Sequence, residues 1–410
     1  MKVQTLKGFR DFLPEEAAKR QYVIDTLTSV FELFGFSRLE TPALEYEDIL
    51  LGKYGEEGDK LMYRFVDQGG RSVALRYDQT VPLSRVVAQY QNILPLPFKR
   101  YQMQPVWRAE NTQKGRFREF LQCDIDTVGT QTTLADAEVI AVAIKSLEKL
   151  GFKSFKAVIN DRSVFKGLSK GAIIAIDKLK KIGQEGVVLE LVKRNLAKDT
   201  DSAIMILNTI EKKQPTERLQ SIFSYLEKSG IPTTQFIFSP TLARGLDYYT
   251  STIFEIEVQG YTGGSICGGG RYDDLVGLFA GRSVPAVGFA FGFDRIIDAM
   301  EELGLFPQKL SSAKVLVTIF SKALKDNSFT ISSTLREKNI NTELYLNDED
   351  TLEKQLKYAD QKGIPFAVIV GPNESAKNMV TLRNMQSREQ KAISIEDVVL
   401  SLSEGTPPQK

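Results

Sequence analysis

Apolar positions recur along this chain at two spacings, every three to four residues in some stretches and every second residue in others, and the changes between them mark its elements. Residues 15–34 place Val23, Leu27, Val30 and Phe34 on one helical face. Gly35 ends that helix, and 36–44 continues as an extended segment around Pro42, a residue that cannot donate to a ladder and belongs at an edge or an interface between subunits. Segments 61–66 and 71–76 alternate about a turn at 67–70, which predicts a hairpin, and a helix follows over 81–90. A longer antiparallel pair is predicted at 101–108 and 117–127, joined by the polar connection 110–115. After it come an amphipathic helix over 134–149 and a buried strand over 155–160. From 163 to 226 the pattern is almost unbroken helix rich in Lys and Glu, which reads as an insertion into a strand-rich domain. Strands resume at 235–238 and 251–258. Beyond a linker at 303–312, strands at 314–320, 341–346 and 366–371 alternate with helices at 328–339 and 351–361, an α/β pattern with a mostly parallel sheet.

Composition narrows what such a chain can do. At 410 residues, 42% hydrophobic and 26% charged, it has the make-up of a soluble protein of two or three domains. Its 53 Lys and Arg against 52 Asp and Glu leave a net charge of +1, so a polyanion must be held by a local patch. No apolar run is long enough to cross a bilayer, and the first residues lack the apolar core of a secretory signal, so a cytoplasmic location is expected. Cys123 and Cys267 stand alone in sequence and are expected to be buried thiols. The chain contains no histidine, which excludes imidazole bases, Ser-His-Asp and Cys-His pairs and His-ligated metals, and no metal site from His or Cys is expected. That favours chemistry in which substrates supply the nucleophile and the protein stabilises charge, with phosphoryl or nucleotidyl transfer in the lead.

Candidate residues follow. Arg108, Arg116 and Arg118 flank the mouth of the long hairpin, where they serve either a polyanionic ligand or the protection of an exposed edge. Asp78 and Thr80 precede a helix, placed to bind a small ammonium group or to cap its first turn. Arg244 lies before Gly245, and Tyr248 and Tyr249 open a strand. Gly268 to Gly270 permit a close backbone approach or form an ordinary turn, and neither G-x-G-x-x-G nor a P-loop is present. Gly288, Ala290 and Gly292 suggest a strand with one face kept clear, leading into a helix that carries Arg295.

Taken in order, these stretches resemble the class II aminoacyl-tRNA synthetases, and among them the histidyl-tRNA synthetase family. The segment around Pro42 is similar to class motif 1, RAENTQKGRFREF to motif 2 and GFAFGFDRI to motif 3. LARGLDYYTSTIFEIEV and SICGGGRYDDL resemble the two signatures that set the histidine enzymes apart, and GFRDFLP resembles their opening. The resemblance implies an α+β catalytic domain on a six-stranded antiparallel sheet over 1–162 and 235–302, a helical insertion at 163–234, and a C-terminal α/β anticodon-binding domain at 313–403. A disordered tail is expected at 404–410.

It further implies ATP-dependent formation of histidyl-adenylate, then transfer of the histidyl group to tRNA(His), by a homodimer built through motif 1. ATP and Mg²⁺ would enter together as substrate, with no tightly bound cofactor. Arg108 would grip the α-phosphate and the histidine carboxylate, Arg244 the reacting α-phosphate, Arg295 the γ-phosphate and Glu110 the adenine end. Asp78, Thr80 and Gln122 would hold the α-ammonium, while Asp126, Tyr248 and Tyr249 would form the imidazole pocket. Asn111, Gln113 and Lys114 would approach the tRNA acceptor end. The chain departs from many family members in carrying Ala109 and Leu121 where they have histidine, and LRYDQT, FLQCDID and RGLDYYT are nearer to the eukaryotic and archaeal form. The competing reading is a histidine-sensing regulatory paralogue of the ATP phosphoribosyltransferase type.

Overall fold

Two ten-residue strands, β1 (Phe98–Trp107) and β2 (Glu119–Val128), run antiparallel along their whole length, from Phe98 opposite Val128 to Trp107 opposite Glu119. They are the long pair that the alternation predicts. The computed structural model describes residues 3–51, 55–111, 116–243, 248–307 and 310–404. By internal contacts these fall into two compact units, Met1–Asp11 with Tyr22–Leu305, and Phe12–Gln21 with Phe306–Lys410.

In the first unit, β3 (Phe155–Asp161), β4 (Thr252–Val258), β5 (Cys267–Arg271) and β6 (Ala286–Gly292) join β1 and β2 in one antiparallel array, ordered β1-β2-β6-β5-β4-β3. Two short strands extend it by parallel pairing, Ser37–Arg38 beside β1 and Phe236–Phe238 beside β3. The six expected antiparallel strands are present, and among the described residues the two parallel edges bring the sheet to eight. At two and three residues the added edges are too short for alternation to reveal them, and most of the extended segment 36–44 makes no ladder.

Arg76 holds that segment down instead: its buried guanidinium donates to Thr41 O at 2.6 Å, Pro42 O at 3.2 Å and Pro105 O at 2.8 Å. The hairpin before it is short, Arg64–Val66 against Ser72–Leu75, with Asp67 Oδ1 accepting from the Gly69 and Arg71 amides at its turn.

One face of the sheet is closed by helix Thr133–Lys149, whose start is capped by Thr132. Arg271 reaches from β5 into this helix, with Nη2 2.6 Å from Asp136 Oδ2. Asp136 also receives Arg218, at 2.8 Å, from helix Glu217–Lys228 of the helical stretch, so one buried carboxylate clamps sheet, helix and insertion together. The other helices of that stretch, Lys170–Asp177, Leu179–Lys193 and Thr200–Glu211, share a small core around Ala175, Val187, Leu191 and Leu207.

The second unit has a five-stranded sheet. Val315–Val317 lies between Thr342–Leu344 and Phe366–Ile369, both parallel to it, and Val380–Asn384 and Gln390–Ile393 add antiparallel pairs. The sheet is mixed, not mostly parallel, because the last two strands come from a polar stretch whose alternation is weak. Helix Ile395–Glu404 follows, so Glu404 belongs to a helix and the expected tail at 405–410 lies outside the described residues. Among the described residues no helix is long and apolar enough to cross a membrane. Cys123 and Cys267 are both buried.

Candidate active site

Antiparallel partners point to the same face of a sheet, so the register of β1, β2, β6 and β5 reads as rows across a surface. Arg100, Asp126, Gly288 and Gly270 form one row; Gln102, Asp124, Ala290 and Gly268 form the next; Gln104, Gln122 and Gly292 form a third. Two strands thus supply polar side chains and two supply almost none. The alternate positions, among them Cys123 and Ile125, point the other way, as does Arg271, whose partner is Val287. The clearing is enforced by contact. A Cβ on Gly288 would lie 1.9 Å from Asp126 Oδ1, and one on Gly270 would lie 2.9 Å from Tyr249 Cδ1. The clear face expected from Gly288, Ala290 and Gly292 is present.

Arg108 extends the hairpin by one further bond, its amide donating to Arg118 O at 2.9 Å. Its guanidinium stacks over Tyr77, with 4.5 Å to the ring centre, and Phe120, with 5.0 Å. Nε donates to Tyr77 O at 3.1 Å and Nη2 to Gln122 Oε1 at 3.2 Å. Gln122 Nε2 in turn donates to Asp124 Oδ2 at 2.8 Å. Asp78 Oδ1 accepts from the Thr80 and Val81 amides, both at 3.1 Å, so capping of helix Thr80–Gln89 is one of its roles. Gln79, between them, donates from Nε2 to Gln104 O at 2.8 Å and Gln122 O at 3.2 Å, which sutures the helix start to the sheet.

Deeper in the cleft, Arg100 is wholly buried, with Nη2 2.7 Å from Asp126 Oδ2 and 3.9 Å from Asp124 Oδ2. Tyr272 donates its hydroxyl to Asp126 Oδ1. Burial pushes the Asp126 carboxyl above its ordinary range, and Arg100 and the Tyr272 bond pull it back in part. Asp124 is pushed up to about 7, by burial first, against the pull of Arg100, with Asp126 and Asp78 adding repulsion. Burial and the Asp126 charge hold the Tyr272 phenol well above its ordinary value. Tyr248 stands 4.7 Å from Tyr249 and 5.9 Å from Tyr272, ring centre to ring centre, so three phenols cluster, and Tyr272 joins that cluster to Asp126.

The remaining expected residues lie near the ends of these strands. Arg295, in the first turn of helix Phe293–Glu302, donates from Nη1 to Ser265 O at 2.7 Å. Glu110 Oε2 accepts from Arg116 Nη1 at 3.3 Å, and its carbonyl accepts from Arg118 Nε at 3.1 Å. The three hairpin arginines therefore divide: Arg108 meets Gln122, while Arg116 and Arg118 meet Glu110. Asn111 is exposed at the edge of the connection. Arg244, Gln113 and Lys114 lie outside the described residues.

Sequence reasoning missed Arg100, Asp124, Gln79 and Tyr272. A signal for two of them was present: Arg100-x-Gln102-x-Gln104 and Gln122-x-Asp124-x-Asp126 are polar at every second position in strands whose other residues are largely apolar.

Comparison with known proteins adds extent to this geometry. Residues 8–296 match the histidyl-tRNA synthetase family, and residues 314–404 match an anticodon binding domain. The histidine–tRNA ligase of Cytophaga hutchinsonii is 39% identical, over 97% of this chain and 98% of its own length. That of Gloeobacter violaceus is 40% identical, over 95% and 96%. The crystal structure of histidyl-tRNA synthetase from Nostoc sp. PCC 7120 superposes with a TM-score of 0.88 at 31% identity, covering 98% of this chain and 99% of that one. A Bacillus halodurans protein described as an ATP phosphoribosyltransferase regulatory subunit/histidyl-tRNA synthetase shares the fold at a TM-score of 0.69 and 24% identity. The matched span contains the entire polar cleft, its glycine floor and Arg108, and on that extent of match the chain belongs to the histidyl-tRNA synthetase family of class II aminoacyl-tRNA synthetases.

Proposed function

We propose that this protein is a histidine–tRNA ligase. The carboxylate of L-histidine attacks the α-phosphorus of ATP, the bond to the pyrophosphate oxygen breaks, and histidyl-adenylate and pyrophosphate result. A ribose hydroxyl of the terminal adenosine of tRNA(His) then takes the histidyl group and AMP leaves. Neither step needs a protein nucleophile, which suits a chain without histidine. The observation that carries the reading is Arg108, set against the Tyr77 and Phe120 rings and bonded to Gln122, at one end of a polar row whose far end is the buried carboxylate Asp126.

In this assignment Arg108, Arg244 and Arg295 supply fixed positive charge where the phosphates gather it, the arrangement that stabilises a transition state without reorganisation. Mg²⁺ arrives with ATP as substrate and neutralises the departing pyrophosphate. Glu110 faces the adenine. Asp78, Thr80 and Gln122 receive the α-ammonium, and Asp126 with Tyr248 and Tyr249 receives the imidazole, a pairing that rejects side chains lacking ring nitrogens. Asn111, Gln113 and Lys114 meet the acceptor end of the tRNA, and the α/β domain at 313–403 meets its anticodon, with the catalytic domain at 1–162 and 235–302 split by the insertion at 163–234. Exposed Leu44, Tyr46, Tyr90 and Ile93 near Pro42 support a homodimer through motif 1. Such an enzyme works in the cytoplasm, where tRNA is charged.

The regulatory-paralogue reading is not favoured, since relatives that match nearly end to end carry the ligase name. The test is histidine-dependent exchange of pyrophosphate into ATP. Exchange that Arg108→Ala abolishes is expected; no exchange by the unmutated protein removes the reading.

A further inference from the structure

We propose that Asp124 is a positioning residue of this site: it fixes which end of the Gln122 amide faces the ligand and, through Arg100, ties that amide to Asp126. The inference rests on the histidine-binding reading above and assigns a role to a residue that reading leaves idle.

An amide side chain has a donor end and an acceptor end, and its neighbours decide which faces where. For Gln122 both neighbours give the same answer. Arg108 can only donate, and its Nη2 sits on Oε1 at 3.2 Å. Asp124 as a carboxylate can only accept, and its Oδ2 takes Nε2 at 2.8 Å. An α-ammonium carries three donors and no acceptor, so it requires the Oε1 end of Gln122. A flipped amide would present its donor end to both Arg108 and the ammonium and its oxygen to the carboxylate.

Among the described residues of the neighbouring strand, the side chains nearest to Asp124 are engaged elsewhere. Gln102, the cross-strand partner of Asp124, spends its Nε2 on Thr41 Oγ1 at 2.9 Å and Gln104 Oε1 at 2.7 Å. Arg100 is shared, 2.7 Å from Asp126 and 3.9 Å from Asp124. Asp124 is nearly inaccessible, and its Oδ1 accepts no hydrogen bond among the described residues. The groups whose charge acts on it are Arg100 from β1, Asp126 from its own strand and Asp78 from the loop before helix Thr80–Gln89. Two acids thus share one guanidinium, with the Asp78 charge adding to the repulsion on Asp124, an imbalance that a cationic ligand corrects.

The test uses the full chain, with Asp124→Asn and Asp124→Ser each made alone and in a Gln122→Ala background. Asn and Ser both donate and accept, so either orientation of the amide becomes acceptable. In pyrophosphate exchange the KM for histidine is expected to rise about tenfold in either variant, the scale of a lost hydrogen bond to a charged group, while the KM for ATP stays within about twofold. In the Gln122→Ala background the same substitutions are expected to add less than about twofold, because the effect passes through that amide. An unchanged histidine KM, a parallel rise in both KM values, or a full effect without Gln122 overturns the inference and leaves the ligase reading intact. Absence of exchange in the unmutated protein overturns both.

Discussion

Gly288 on β6 lies opposite Asp126 on β2, and a methyl group at 288 would be 1.9 Å from Asp126 Oδ1. The carboxylate cannot retreat. Arg100 holds its other oxygen at 2.7 Å and Tyr272 donates to the one that would be struck. Gly288→Ala is therefore expected to turn Asp126 away from both partners. Overpacking of this kind typically costs about 1–3 kcal/mol. Isothermal calorimetry should find no measurable histidine binding in a variant that still shows a cooperative melt. Binding at the unmutated affinity would mean that Asp126 does not contact the ligand.

The Asp124 charge should make stability depend on pH. Its carboxyl ionises at 3.8 in an exposed chain and at about 7 in the fold, so between those values the folded state holds the extra proton. Stability is then fully present below 3.8, falls as pH rises through the window and stays low above 7, by about 4 kcal/mol if the whole displacement counts. Asp124→Asn carries no such dependence and leaves Arg100 with one carboxylate partner. The ligand-free variant should melt higher than the unmutated protein at pH 8, with the gap shrinking toward pH 4. Scanning calorimetry at several pH values checks this, and a constant gap would contradict it. The same substitution weakens histidine binding, so the acid at 124 lowers the stability of the empty fold while serving the occupied one.

How far the site could be read from the sequence depends on which contacts are local. The long hairpin announced itself because ten-residue alternation survives in both strands, and Gly288, Ala290 and Gly292 marked a cleared face because three small residues at a spacing of two have few other causes. Arg100 and Asp124 stayed hidden because their meaning depends on cross-strand register, which sets Arg100 opposite Asp126 and Gln102 opposite Asp124. Asp78 kept both of its readings, since its Oδ1 does cap the helix. Arg271 shows the converse: it follows Gly268 and Gly270 of the cleft floor, yet one step along a strand reverses the face, and it serves Asp136 behind the sheet.

That clamp supports a structural prediction. Asp136 receives Arg271 and Arg218, and it is fully buried. Asp136→Asn takes the carboxylate from the half-buried Arg218 and leaves the wholly buried Arg271 with Asp273, 3.1 Å from its Nη1, as its remaining counter-charge, a loss of up to about 3–5 kcal/mol for broken buried pairs. Urea unfolding should show the lower midpoint. Histidine and ATP KM values of the folded fraction should be unchanged, because the clamp lies on the face opposite the cleft. A selective rise in either KM would show coupling through the sheet.

Arg108→Lys tests whether the cleft needs a cation or this particular one. The guanidinium carbon lies 4.5 Å from the Tyr77 ring centre and 5.0 Å from that of Phe120, while Nε and Nη2 bond Tyr77 O and Gln122 Oε1. A lysine ammonium is a point charge on a flexible stem; it can reach one of those oxygens but cannot stack and bridge at once. Preorganised donors aimed at a reacting centre are worth about 10²–10³ in rate when one is removed. Pyrophosphate exchange by Arg108→Lys should therefore lose at least about a hundredfold in kcat, with the histidine KM rising less because Asp126 still holds the ring. The melting temperature should move little, since Arg108 is only half-buried and both rings remain packed. A lysine variant within about tenfold of the unmutated rate would reduce Arg108 to a source of charge, and the planar grip on carboxylate and phosphate would have to be sought elsewhere in the cleft.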